Sequence, residues 1–349
     1  VMEAIAPECM PAHLNDIVEN VDPSVPESVV DQLSQLLRKY SKAFSKDEYD
    51  LGWTDKVKHK IDTGNHPPAR QALRRVPLAQ REVIDRHIDE QLRQGIIRPA
   101  QSPFASNLVI VKKHDGSTRC CVDFRLVNQI STHDCYPLPR LDQCIDALGG
   151  DNAWFSCLDM RSSYHQVAMD EKDAGKTAFI CHRGSFLYNT MPMGLRNSGA
   201  TFQRLMDMVM AGLTFEVCLV YLDDIVVFSK TLEEHLQRLE MVLQRLVDTG
   251  LKLKPSKCRM LQRRIVFLGH VVTEDGVSTD PAKTEQISKW PRPNSFREVR
   301  GFLGLCGYYR KFIDRYAEIA APLTSMLKKG HRFSWSDEAE TAFERLKSV

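Results

Sequence analysis

No run of about 18 consecutive apolar residues occurs in the 349-residue sequence, so nothing in it reads as a membrane-spanning helix. Nor is there a positively charged start leading into an apolar stretch, and a secretory leader is therefore unsupported. The ten cysteines include no C-x-x-C pair. That argues against a zinc site and against a secreted disulfide framework. Several of them sit in apolar strand-like runs, as Cys157 does in "WFSCLD", so reduced and mostly buried thiols are expected. Low-complexity tracts and internal repeats are also missing, and the net charge is only +2. The Val1 start and the helical pattern "SDEAETAFERLKSV" at the end both read as cuts through something longer.

The near-neutral total hides an uneven distribution. Residues 1–62 carry a balance of −5, which leaves +7 for the remainder. Within that remainder, "KLKPSKCRMLQRR" (Lys252–Arg264) holds six basic residues and no acid, and "ARQALRRVPLAQR" (Ala69–Arg81) is likewise basic. Such strips suit a phosphate backbone, although solvated surface explains them equally well.

Local patterns then place the elements. Val1–Glu27 has no firm period and reads as linker, whereas Val29, Leu33, Leu36, Leu37 and Tyr40 share one helical face. "REVIDRHIDEQLRQG" predicts a helix stopped by Gly95. In "NLVIVKKHDGSTRCCVDF" two β-prone runs flank Asp115-Gly116, a hairpin signal with a cationic tip. Thr231-Leu232-Glu233-Glu234 and Ser295-Phe296-Arg297-Glu298 are capping boxes, and "RIVFLGHVVTEDG" predicts a strand with a glycine kink. Helices intermixed with hairpins predict an α+β fold.

One stretch stands apart. "VYLDDIVVFS" (Val220–Ser229) sets two adjacent carboxylates between apolar arms. Aspartates favour turns, but paired carboxylates in a half-buried bend repel, and a divalent cation removes that conflict. Magnesium prefers hard oxygen ligands. A third carboxylate would complete a two-ion site, and Asp159, at the end of the apolar run "WFSCLD", is the best candidate. Two ions there would suit phosphoryl chemistry, either nucleotide addition or phosphodiester cleavage. Lys113 and Arg119 on the hairpin tip would supply the positive charge a triphosphate needs.

Seven blocks occur in order: "SPFASNLVIVKKHDGSTRCCVDFRLVN", "LDMRSSYHQV", "MPMGLRNSGATFQRLM", "VYLDDIVVFSK", "GLKLKPSKC", "FLGHVV" and "VRGFLGLCGYYRKFI". Together they resemble the reverse transcriptase of gypsy-like LTR retrotransposons, over residues 58–349 or so. The resemblance implies a right-hand polymerase fold with fingers, palm and thumb. Its subdomains would be an N-terminal extension with one helix (1–60), fingers and palm (61–275) and a helical thumb or connection region (276–349). It implies RNA-directed DNA polymerisation on an RNA or DNA template, with primer and dNTPs as partners and two Mg2+ ions as cofactor, Mn2+ being an alternative. Asp159, Asp223 and Asp224 match the catalytic aspartates, with the backbone carbonyl of Met160 assisting at the metals. Lys113 (or its neighbour Lys112) and Arg119 match the residues that hold the triphosphate. Tyr164 matches a steric gate against ribose, Gln203 a position near the nucleotide pocket, and Leu268, Gly269 and His270 the primer grip. By the same resemblance the chain would work in the cytoplasm inside retrotransposon particles, beside ribonuclease H and integrase segments of one polyprotein. Two positions depart from the family pattern: Met193 stands where many relatives have Phe or Gln, and Ser198-Gly199 replaces a common Ala-Pro.

Other classes compete. "KIDTG" (Lys60–Gly64) contains the Asp-Thr-Gly triplet of aspartic proteases around Asp62, but a Pro- and Arg-rich stretch follows it. A polymerase fold kept only for docking nucleic acid is the non-enzymatic alternative, and an RNA polymerase using ribonucleotides is a third.

Overall fold

The computed structural model describes residues 10–112, 116, 118–328 and 332–348. The chain divides into two compact units, one of residues 1–147 with 151–263 and the other of residues 148–150 with 264–349.

The first unit is built on a four-stranded antiparallel sheet in the order Arg259–Gln262, Trp154–Asp159, Asp224–Ser229, Cys218–Tyr221. Ile225, Val226, Val227 and Phe228 are all buried, successive residues pointing to opposite faces, so both faces of this sheet are covered. Two amphipathic helices pack against it. Ser198–Val209 buries Phe202, Leu205, Met206 and Val209, and Leu232–Thr249 buries Leu239, Val242, Leu243 and Leu246. The second helix starts where its capping box requires: Thr231 Oγ1 accepts from the Glu234 amide at 3.2 Å, and Glu234 reaches back to the Lys230 amide. Gly250, with φ +74°, ends it in the left-handed conformation that a glycine adopts without steric cost.

A five-stranded mixed sheet runs Ile97–Pro99, Gly184–Tyr188, Phe179–Cys181, Ser106–Lys112, Thr118–Val122. Its last two strands form the expected hairpin, pairing Val111 with Arg119 and Lys112 with Thr118. Of the expected tip, Lys113, His114 and Asp115 lie outside the described residues. The helix Leu78–Arg93 packs against this sheet through contacts with Ile97–Pro99 and Thr118–Val122, and Gly95 at φ +69° follows its end.

Residues 10–26 are not a linker. They form a short helix at Asn15–Glu19, bury Leu14 and Ile17 in the main core, and donate the Asp22 amide to the Leu261 carbonyl. Leu14, Ile17 and Val25, the buried apolar side chains of this segment, are too few and too unevenly spaced to show a period.

The second unit holds a three-stranded antiparallel sheet, Ile265–Phe267, His270–Thr273 and Gly276–Thr279. The expected single kinked strand is therefore a hairpin, because Leu268 and Gly269 both take positive φ and reverse the chain. Helices Pro281–Ser288, Phe296–Tyr308, Tyr316–Met326 and Asp337–Ser348 follow, around a core of Val299, Phe302, Leu323 and Phe343. Among the described residues no helix is long and apolar enough to cross a membrane.

Candidate active site

Strand register brings the acids together. Asp224 is the cross-strand Cα partner of Asp159 on one side and of Tyr221 on the other. Directly opposed residues in an antiparallel pair stand about 4.5–5.5 Å apart at Cα. Asp223 occupies the two-residue turn Leu222-Asp223, so the pair is split: Asp223 belongs to the turn and Asp224 opens the strand. Asp224 is open to solvent, yet the packed protein beneath it desolvates its carboxylate. Burial, then the charges of Asp223 and Asp159, raise its pKa above the ordinary 3.8, with Lys257 opposing. Lys257 Nζ pairs with Asp159 Oδ2 at 3.2 Å. Lys257 comes from the basic strip, where it was expected to face a phosphate backbone. Met160 is buried and bridges in antiparallel fashion to Leu253, and the Lys254 amide donates to the Asp159 carbonyl.

No three acidic, histidine or cysteine side chains among the described residues stand in ready metal-binding geometry. The donors nevertheless suit a hard divalent cation. They are carboxylates, two are cross-strand partners, and the burial and then the mutual repulsion that raise the Asp224 pKa are what a cation would offset. With the backbone register set, moving Asp159 from Lys257 toward Asp224 is a side-chain rotation.

The far end of the same strands is fixed by a buried polar chain. Ser229 Oγ donates to the Thr231 carbonyl at 2.9 Å, so it accepts from His235 Nδ1 at 2.8 Å. The Leu261 amide donates to Ser156 Oγ at 3.0 Å, and Ser156 donates to His235 Nε2 at 2.7 Å. The imidazole is therefore neutral with its proton on Nδ1, and burial lowers its pKa to about 3. It ties the helix Leu232–Thr249 to three of the four strands. A Ser–His–Ser chain wholly enclosed in this way is structural, since no substrate reaches it.

A cavity of about 910 Å3 opens in this unit, lined by Arg119, Tyr164, Met193 and Ser162 among others. The Arg119 guanidinium rests on the Met193 sulfur. Tyr164 packs edge-on against Phe202, ring centroids 5.6 Å apart, and burial and then the Asp223 charge raise its phenol pKa. Two of the expected nucleotide-site residues, Arg119 and Tyr164, thus share one cavity, whereas Lys113 lies outside the described residues. Gln203 is different. It is fully buried, and its amide is spent on the Leu222 amide, Asp207 and, more distantly, the Val220 carbonyl.

In the second unit the Leu268-Gly269 turn is held through its carbonyls. Tyr308 donates to Leu268 O at 2.5 Å and Tyr309 to Gly269 O at 2.8 Å. The His270 ring is buried among Tyr308, Tyr309 and Phe312, so its side chain belongs to the packing behind the turn. Asp62, the acid of the protease-like triplet, sits in a loop and accepts from the Gly64 amide at 2.9 Å, an ordinary turn contact.

Residues 111–272 match the family model "Reverse transcriptase (RNA-dependent DNA polymerase)". The chain carries a reverse transcriptase domain. Over 91% of its length it is 41% identical to the retrovirus-related Pol polyprotein from transposon 297 of Drosophila melanogaster, of which it covers 30%. With the Pol polyprotein from transposon gypsy of the same organism it shares 31% identity over 96% of its length, covering 33% of that protein. The chain thus spans about a third of the length of these curated relatives. Its fold is the right-hand polymerase fold. A foamy viral protease-reverse transcriptase in complex with double-stranded DNA superposes with a TM-score of 0.86 at 24% identity, over 96% of this chain and 59% of that one. The foamy viral protein with an RNA/DNA hybrid gives 0.82 at 23% identity, over 96% and 45%.

The reverse transcriptase domain thus contains all three sequence-predicted acids within one sheet end. Two contributors were not foreseen, Lys257 on Asp159 and Asp207 beneath the turn. Asp207 had a readable signal, since Gln203 and Asp207 are i and i+4 on one helix.

Proposed function

We propose that this chain is an RNA-directed DNA polymerase that extends a primer 3′-hydroxyl on an RNA or DNA template. The observation that carries the reading is the register of Asp159 against Asp224, with Asp223 in the adjoining turn, at one end of a sheet covered on both faces. Asp159, Asp223 and Asp224, with the Met160 carbonyl, would hold two magnesium ions, manganese serving as the alternate. When bound, the ions would acidify the primer hydroxyl and neutralise charge growing on the phosphoryl group. Arg119, together with Lys113, would hold the triphosphate, and the Tyr164 ring would exclude a 2′-hydroxyl. Leu268, Gly269 and His270 would position the primer end.

The nucleic acids held by the foamy viral structures support a template–primer duplex as partner. The relatives' names as Pol polyproteins of transposons support a place for this chain within a longer retrotransposon polyprotein; adjacent ribonuclease H and integrase segments and work inside cytoplasmic particles belong to the same proposal. The subdomain assignment that accompanies this reading is an extension over 1–60, fingers and palm over 61–275, and a helical thumb or connection region over 276–349.

Primer extension on oligo-rA with dTTP and magnesium tests the activity. Asp224→Asn is expected to lower extension by at least about 10²–10³-fold, because it removes charge from the reacting centre, while duplex affinity holds. Duplex binding by the wild-type chain without any extension would favour the docking-module alternative. Tyr164→Ala is expected to raise ribonucleotide incorporation, measured as the ratio of kcat/KM for dTTP and UTP; an unchanged ratio removes Tyr164 from the gate.

A further inference from the structure

We propose that Gln203 is a positioning residue that, with Asp207 and Tyr136, holds the Leu222-Asp223 turn in register, and that it does not itself bind the incoming nucleotide. The inference rests on the reading of Asp159, Asp223 and Asp224 as the polymerase carboxylates, and deepens it.

Leu222 carries φ +54°, a left-handed value that an L-residue with a side chain adopts at a cost. Something must hold it there. Its amide donates to Gln203 Oε1 at 2.8 Å, from a helix 19 residues earlier in the chain. An amide side chain can sit either way round, and here its neighbours decide. Asp207 accepts from Gln203 Nε2 at 2.9 Å through Oδ1 and from the Tyr136 hydroxyl at 2.6 Å through Oδ2. A carboxylate offers acceptors only, so the nitrogen of Gln203 must face it and the oxygen is left for Leu222. Tyr136 is placed in turn by the Arg204 guanidinium, 4.5 Å from its ring centroid, and Arg204 pairs with Asp134 at 2.7 Å. The chain of contacts therefore runs from the loop at 134–136 through one helix face to the turn that presents Asp223 and leads into Asp224. Gln203 is fully buried and all its polar atoms are engaged, which leaves it no group for a nucleotide.

The polarity of the pair supplies the test. Gln203→Glu sets two acceptors face to face, and Asp207→Asn, with Tyr136 still donating to its oxygen, sets two donors face to face. The double variant restores complementarity, because the amide introduced at position 207 donates to the carboxylate introduced at position 203, and that carboxylate still accepts from Leu222. Each single variant is expected to lower kcat for one-nucleotide addition about 10-fold or more while KM for dNTP stays within about 3-fold, and the double variant to regain activity within about 3-fold of wild type. Amide hydrogen exchange of the peptide spanning Leu222, read on the free protein, is expected to quicken in each single variant and slow again in the double. Tyr136→Phe, a milder change that keeps the ring, is expected to move exchange and kcat in the same direction by a smaller factor.

A raised KM with unchanged kcat would make Gln203 a nucleotide contact and overturn the proposal. So would a double variant no better than the product of the singles, or unchanged exchange at Leu222 in Tyr136→Phe and both singles. Failure of the polymerase reading shows separately, as a wild-type chain that extends no primer or an Asp224→Asn variant that still does.

Discussion

Two reversals of chain in this molecule share a plan and differ in how they are held. Both are two-residue hairpin turns with a leucine first, Leu222-Asp223 and Leu268-Gly269, and both leucines take left-handed φ. In the first, only the leucine is left-handed, the φ signs of a type II′ turn; in the second, both residues are, as in type I′. The first is held by its amide, through a buried side-chain oxygen. The second is held by its carbonyls, through two phenols and the His270 imidazole. A turn that must present carboxylates gains from a support that adds no further acid at its tip. A turn that presents backbone is shaped instead by a glycine and by aromatic packing.

The contrast can be broken at three points. The largest effect is expected at the far end of the strands that carry the carboxylate turn. His235→Ala removes the partner of Ser156 and Ser229 and leaves a cavity, and should cost about 2–4 kcal/mol of unfolding free energy in denaturant titration. It should also flatten the acid side of the stability profile. Native His235 stays neutral down to about pH 3, whereas in the unfolded chain it takes up a proton near the ordinary value of 6.5. Its contribution is therefore complete above pH 6.5 and is lost as pH falls from there toward 3. The slope is up to about 1.4 kcal/mol per pH unit. His59 and His165, both lowered to about 4 by burial, act with the same sign and keep the rest of the slope in the variant.

Gly269→Val attacks the other turn. At φ +71° a β-branched residue is strained, and its Cβ would meet the Tyr309 hydroxyl at 3.2 Å. A loss of about 1–3 kcal/mol is expected, read by thermal unfolding, with primer-end affinity falling in step. An equally stable variant would show that the surrounding aromatic side chains, not the glycine, shape this turn. The smallest effect is expected at Lys257. Lys257→Ala frees Asp159 from its ion pair, and the magnesium concentration for half-maximal extension should drop about 2–5-fold, in line with the modest worth of an exposed pair. A rise would mean that Lys257 helps hold the substrate.

Much of the candidate site was legible before any fold was known, because the chemistry is carried by residue types in short patterns. The "YLDD" pair between apolar arms and the acid closing "WFSCLD" announce charge held rigidly at a bend. The capping boxes at Thr231 and Ser295 were equally plain, since both of their hydrogen bonds are local. Gln203 was placed near the nucleotide pocket, yet its buried amide works on Leu222, a partner no local pattern reveals. The 10–26 segment reads as unstructured because its buried anchors, Leu14, Ile17 and Val25, find their contacts far away in sequence. Leu268-Gly269 read as a kink because a glycine in an apolar run does not say whether the chain bends or reverses.

The sequence alone determined the acids, the apolar arms beside them and the helix starts, which rest on residue types within a few positions, and the family resemblance, which rests on the order of seven short blocks. Only the tertiary structure decided that Asp224 falls opposite Asp159, that Lys257 meets Asp159 rather than facing outward to a phosphate backbone, and that the Gln203 oxygen is taken by the Leu222 amide. The register, the ion pair and the Leu222–Gln203 hydrogen bond join groups separated by 65, 98 and 19 residues respectively, and such pairings acquire a definite answer only when the chain between them has packed.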